Sequence, residues 1–283
     1  MATIVFLQFG HSGLEQLAIS LRSYKKNGGE LKKVLYTDCQ DVPSEIMGLL
    51  DEVRPWGNPV RESGHAKFGT SNFGMITREK SEVMRDALNK DKEWILFSDG
   101  DILALKPFRS DLEHLLSRWD VLVSCEGETF NPHNYCTGLL GLKYAEHTFF
   151  VLDRWVSNHN NMLQQDPSFH DQDAFNDLMH KNSDLEKSIC RLANGFAMSG
   201  WFYPLFDPQI TTRLPFFFHC NYVMGNEAKV KRLSYLSEVI IEKNSTSHIS
   251  KFKRVLHIVR HNTGTIVRIL RETTKAVCNE FKS

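Results

Sequence analysis

The strongest constraint on the fold is an alternation in the first 125 residues, where short apolar runs are followed by segments with apolar residues at helical spacing. "TIVFLQF" (3–9) reads as a strand, and residues 12–26 as a helix with Leu14, Leu17, Ala18 and Leu21 on one face. "KKVLYTD" (32–38), "EVRPW" (52–56), "WILFSD" (94–99) and "DVLVSCE" (120–126) continue the strands. Residues 44–51, 76–89 and 110–119 supply the intervening helices. Such an alternation predicts an α/β fold with a mostly parallel central sheet flanked by helices on both faces. Beyond residue 126 the pattern loosens, with "NPHNYCTGLLGL" (131–142) reading as a loop into a short strand. Helices are expected over 145–160, 171–181 and 225–239.

The last residues differ in character. From Lys251 onward there are eight Lys or Arg against two Glu, with apolar residues at helical spacing. The chain therefore divides into a domain over 1–243 and a basic amphipathic helical tail over 244–283. The tail suits either packing on the domain or peripheral contact with an anionic membrane surface. Over the whole chain Lys plus Arg and Asp plus Glu stand at 34 each, so no overall field points to nucleic acid. The N-terminus lacks a basic n-region, and no window approaches the roughly 18 apolar residues of a membrane span. Six scattered cysteines form neither a zinc knuckle nor a disulfide framework, which predicts a reducing, cytoplasmic compartment with membrane association through the tail.

Within the alternation, "FSDGDILAL" (97–105) places Asp99 and Asp101 where a strand should end. Buried carboxylates need compensation, and ligands of open α/β sheets gather beyond the carboxyl ends of strands. Paired carboxylates make a hard oxygen site suited to Mg²⁺ or Mn²⁺. Gly100 between them is expected to let the backbone bend toward a ligand. An exposed Asp-Gly turn, or the nucleophile and acid of a phosphatase-like hydrolase, fits the same residues.

Three later segments bear on that choice. In "HCNYVMGNEAKVKRL" (219–233), His219 follows an apolar run, and Gly225 and Lys229 open a helix. A helix N-terminus with a lysine suits phosphate oxygens, and an imidazole among the ligands favours Mn²⁺ over Mg²⁺. A structural histidine and a solvated lysine would fit equally. "DQDAFN" (171–176) gathers Asp171, Gln172 and Asp173 at a helix start, where first-turn acids also serve as caps. "CTGLLGLKYAEHTFFVLDRW" (136–155) is a Gly-bearing turn, strand and helix.

Together with "LFSDGDILALKPF" (96–108), these segments resemble the ordered motifs of the GT-A-fold nucleotide-diphospho-sugar transferases, a family that includes plant arabinosyl- and xylosyltransferases. The resemblance covers about residues 1–240. It implies a glycosyltransferase that moves a sugar from a nucleotide-sugar donor, a UDP-sugar in the first place, to a glycan or other hydroxyl acceptor, with retention and a Mn²⁺ or Mg²⁺ cofactor. It further implies that Asp101 and His219 bind the metal with Asp99 beside it, and that Gly225 and Lys229 hold the diphosphate. Lys80 would pair with the acidic motif and donor, while Asp171, Gln172 and Asp173 would line the sugar and acceptor pocket. Gln8 to His11 would meet the base. One departure stands out: Cys136 occupies a position where the family pattern has Asn, with Asn134 close by in sequence. A catalytically silent sugar-nucleotide-binding module is the alternative that this departure raises.

Overall fold

The computed structural model describes residues 2–58, 69–126, 134–193, 196–199, 215–221, 223 and 225–238. The basic tail (244–283) and residues 59–68 lie outside them.

The strands are β1 (Thr3–Gln8), β2 (Lys32–Thr37), β3 (Glu52–Pro55), β4 (Trp94–Ser98), β5 (Ile102–Ala104), β6 (Val121–Cys125), β7 (Tyr135–Lys143), β8 (Cys190–Leu192), β9 (Ala197–Ser199) and β10 (Phe217–His219). The helices are α1 (Leu14–Asn27), α2 (Ser44–Met47), α3 (Ser71–Asp91), α4 (Arg109–Leu116), α5 (Glu146–Gln165), α6 (Asp171–Lys181), α7 (Ser183–Lys187) and α8 (Asn226–Leu236). Seven strands form the main sheet in the order β3-β2-β1-β4-β7-β6-β8. All its neighbours pair in parallel except β7, which runs antiparallel to β4 and β6. The mostly parallel, helix-flanked sheet is the architecture expected from the alternation. No helix among the described residues is long and apolar enough to cross a membrane.

One face of the sheet packs on α3, α5 and α6, around Val83, Met84, Trp155 and Phe175. The other packs on α1, α2 and α4, around Leu17, Leu21, Tyr24 and Leu112. A second sheet, β5-β10-β9, lies beyond this face, and α8 closes over it through Leu233 and Leu236. The two sheets meet at the turn between β4 and β5, which carries Asp99 and Asp101. Chain direction across the main sheet diverges at β1, whose neighbours are β2 and β4. That is the switch point at which α/β sheets open a crevice for ligands.

Three local differences from the sequence reading matter. Helix α3 begins at Ser71 rather than 76, because the Thr70 side chain accepts the Phe73 N–H at 3.4 Å and caps it there. The segment read as a loop entering a short strand is a nine-residue strand, β7, whose glycines lie inside the sheet. Its register to β6 breaks between Val123, opposite Leu140, and Ser124, opposite Cys136. The extra residues form a bulge, which re-aims side chains locally. Leu140 and Leu142 pack on the α3–α5 face, whereas Leu139 packs on the α1–α4 face.

Candidate functional site

Asp99 and Asp101 leave β4 on either side of Gly100 and end in different surroundings. Asp99 keeps the parity of the strand and points to the α3 face, where Lys80 Nζ stands 2.9 Å from its Oδ1. The turn swings Asp101 toward the small sheet. There its Oδ1 lies 3.1 Å from His219 Nε2, and its Oδ2 accepts from Lys229 Nζ at 2.5 Å. Gly100 is not in a left-handed conformation, and a Cβ there would meet Leu17 only at an ordinary 3.6 Å. The turn itself does the bending, rather than the conformational freedom expected of glycine.

His219, at the end of β10, is the hinge of the cluster. Its Nε2 is also 4.0 Å from Asp99 Oδ2, and its Nδ1 is 3.3 Å from Cys136 Sγ. Gly138 makes this crowding feasible. An added Cβ would sit 2.5 Å from His219 Cε1 and 2.9 Å from Asp99 Oδ2. Gly138 O also accepts the Asp99 N–H at 2.8 Å, fixing the start of the turn.

Lys80 joins this cluster to a second one. Its ammonium lies 3.1 Å from Asp171 Oδ2, and Thr137 Oγ1 donates to the same oxygen at 2.6 Å. Trp155 Nε1 donates to the Asp171 carbonyl at 2.9 Å, which locks the start of α6 against α5. Asp171 is therefore more than a helix-start acid, as its side chain is 4% exposed and paired. Gln172 reaches elsewhere, donating to Glu126 at 3.2 Å, and Asn221 donates to the other Glu126 oxygen at 2.5 Å. Asp173 stands apart, its carboxylate accepting the His170 N–H at 3.2 Å in a capping box.

Electrostatics follow from this packing. Burial would raise the Asp101 pKa, but Lys229 and His219 outweigh it and hold the carboxyl far below its ordinary range. Asp171 is likewise held low against burial, by Lys80, His170 and Thr137. For Asp99 burial wins over Lys80 and His219, with Asp101 and Asp171 adding to it, so its pKa is raised. His219 goes up because the carboxylates, Asp101 foremost, outweigh its burial. Asp99, Asp101 and His219 each offer a donor atom within 4.8 Å of the others, an acidic group able to hold a cation. Around them the carboxylates of Asp99 and Asp171 face the Lys80 ammonium, and that of Asp101 faces Lys229. These carboxylates outnumber the ammoniums beside them, which suits a cation.

Helix α8 begins at Gly225, whose φ of 88° and ψ of 142° exclude other residues from an unstrained fit. One turn into this helix, Lys229 reaches Asp101, and a helix N-terminus is where anions find backbone N–H donors. Asn226 anchors this end to the loop after β1, donating to Ser12 O at 2.7 Å and accepting from Gln16 at 2.9 Å. In that loop the Gln8 amide turns back to Phe9 O at 2.7 Å, and His11 is exposed. Neither touches the acidic cluster. The loop is tied instead to the end of β2, where Asp38 accepts the Gly10 N–H at 2.8 Å.

The sequence reading missed Glu126, Thr137 and Asp38. Glu126 and Asp38 each follow a strand that reads plainly from its apolar run, and that position was the signal available. Asn134, considered as a substitute for the missing Asn, gives its carbonyl to the Glu126 N–H at 2.7 Å.

A model of the nucleotide-diphospho-sugar transferase family matches residues 35–233. No curated protein sequence matches. Among solved structures, the galactosyltransferase LgtC, in complex with donor and acceptor sugar analogues, covers 89% of this chain and 99% of its own, at 14% identity and a TM-score of 0.52. A glycosyltransferase involved in glycosylation of the major capsid of PBCV-1 covers 83% of this chain and 98% of its own, at 12% identity and a TM-score of 0.54. Glycosyltransferase GlyE of Streptococcus pneumoniae TIGR4 covers 85% of this chain and 65% of its own, at 12% identity and a TM-score of 0.50. At these identities the structures speak for a shared fold.

Proposed function

The chain belongs to the nucleotide-diphospho-sugar transferase family, and on that premise we propose that it is a cation-dependent glycosyltransferase. It moves a sugar from a nucleoside diphosphate, UDP in the first place, to a glycan or other hydroxyl acceptor with retention of configuration. Family membership sets aside the phosphatase alternative, and the chain is an enzyme rather than a silent module. The observation that carries the finer reading is the placement of Asp101 between His219 and Lys229, beside the first turn of α8.

Mn²⁺ suits a donor set of Asp101, His219 and Asp99, and when bound it supplies positive charge opposite the departing diphosphate. Lys229 and the N–H groups opening α8 face the same leaving group and hold its oxygens. Lys80 sits between Asp99 and Asp171 and holds both, fixing the floor on which the sugar rests. The C1–phosphate bond breaks as positive charge spreads over C1 and the ring oxygen. The acceptor oxygen bonds to C1 on the same face, and its proton passes to the departing diphosphate. Same-face attack suits Asp171, which is clasped by Lys80 and Thr137 and is poorly placed to form a covalent intermediate. Glu126 lies beside His219 and accepts from Gln172, and these two side chains serve as walls of the acceptor side. Support for a sugar donor and acceptor comes from LgtC, which was solved with analogues of both.

Asp101→Ala should lower transfer from UDP-sugars by at least about 100-fold while the far-ultraviolet circular dichroism stays native. Undiminished transfer by that variant, or by the wild type in excess EDTA, would refute the cation role.

A further inference from the structure

The described residues contain a second donor group beside the acidic one. The Glu126 carboxylate, the Cys136 thiol and the His219 imidazole each place a donor atom within 4.8 Å of the other two. His219 belongs to both groups and addresses each with a different nitrogen. Its Nε2 faces Asp101 at 3.1 Å, whereas its Nδ1 faces Cys136 Sγ at 3.3 Å. That last distance is close to the spacing of two ligands on one tetrahedral ion with metal bonds of about 2.0–2.3 Å.

The two groups differ in chemistry. Two carboxylates and an imidazole suit a hard ion, whereas a thiol, an imidazole and one carboxylate suit a softer one. Cys136 and Glu126 are 3% and 7% exposed, so the thiol is held in the interior. Burial and the neighbouring Glu126 push its pKa well above the ordinary thiol value. A small cavity lies against the sulfur, lined by Ser124, Cys136, Ala197, Phe217 and His219.

We propose that Glu126, Cys136 and His219 Nδ1 form a site for a thiophilic divalent cation of the zinc class, and that filling this site disables the acidic site next to it. The thiol proton leaves to solvent as the metal–sulfur bond forms. A neutral imidazole has one nitrogen with a free lone pair and one that carries a proton. A cation on Nδ1 therefore leaves the proton on Nε2, which then donates to Asp101 and cannot ligate a second ion. Occupancy of one site excludes His219 from the other. This antagonism rests on the transferase reading given above, whereas cation binding does not.

The test uses the full metal-free chain with Co²⁺ as the probe. About one equivalent should produce a thiolate-to-cobalt charge-transfer band in the near ultraviolet, which Zn²⁺ then bleaches by displacement. Cys136→Ser should lose the band and Cys190→Ser should keep it. Should Cys136→Ser fail to fold, Glu126→Gln retains the sulfur and should bind Co²⁺ at least about ten-fold more weakly. Absence of the band in the wild type, its persistence in Cys136→Ser, or unchanged affinity in Glu126→Gln would overturn the site. At fixed Mn²⁺, the zinc concentration halving transfer should be at least about ten-fold higher in Cys136→Ser than in the wild type, each measured against its own zinc-free rate. Equal zinc sensitivity would overturn the antagonism. A chain that shows the band yet transfers no sugar from any UDP-sugar would overturn the functional reading and leave the cation site standing.

Discussion

Gly138 has no side chain because His219 and Asp99 occupy the space that one would take. A methyl there meets the imidazole at 2.5 Å, and His219, with its side chain 14% exposed, has little room to retreat. Gly138→Ala should therefore shift His219 and Asp99 by a fraction of an ångström and lower kcat/KM about 100-fold, the usual cost of misplacing a catalytic group. A wild-type kcat/KM in that variant would contradict the geometry. At this scale the sequence revealed types better than partners. Asp99, Asp101, His219 and Lys229 were legible as one group because their spacing matched an ordered set of motifs. Glu126 was not, since one acid at a strand end resembles any solvated acid until Gln172 and Asn221 are seen donating to it. Asp173 fails in the opposite sense. Its neighbours suggested a pocket, yet its carboxylate caps its own helix.

At the scale of elements, α8 bears most directly on the donor. Its start depends on Gly225, where a β-carbon would be strained by about 1–3 kcal/mol although nothing lies close enough to clash. Gly225→Ala should leave the core intact, raise the KM for the nucleotide-sugar several-fold and lower Tm by a few degrees. An unchanged KM would separate the helix start from the donor. The elements that escaped the sequence reading were those in which glycine means close approach rather than a turn. Gly74 lies in the first turn of α3, ahead of the helix read from residue 76, and a Cβ there would strike Phe169 O at 2.4 Å. Gly138 and Gly141 misled in the same way inside β7. Strands β5, β9 and β10 are three residues each, too short for alternation to show, and they form only because long-range partners align them.

Across the whole molecule, charge within the site ties stability to pH. Asp171 is held below its ordinary value of 3.8, so its contribution is complete above that value and is lost as pH falls through the lower folded one. Lys80 secures this for Asp171 and offsets the buried Asp99. Lys80→Met should cost about 3–5 kcal/mol near pH 7 by taking from the buried Asp99 and Asp171 the ammonium they share. The deficit should narrow toward pH 4, where those carboxylates take up protons more readily than in the wild type. Urea denaturation at both pH values checks this, and a deficit independent of pH would mean that Lys80 acts through packing alone. The architecture was legible because a parallel sheet covered on both faces requires nearly unbroken apolar runs. The smaller sheet was not, because its residues are buried by their partners rather than by a pattern of their own. The bulge in β7 lets one strand follow two registers: Leu140 and Leu142 are set by the core, while Cys136, Thr137 and Gly138 are set by the chemistry upstream of the break. A one-residue insertion or deletion there would change which face Cys136 and Thr137 present while Leu140 and Leu142 keep their places in the core. The fold thus contains a built-in place where heritable change can redraw the active centre while the scaffold stays the same.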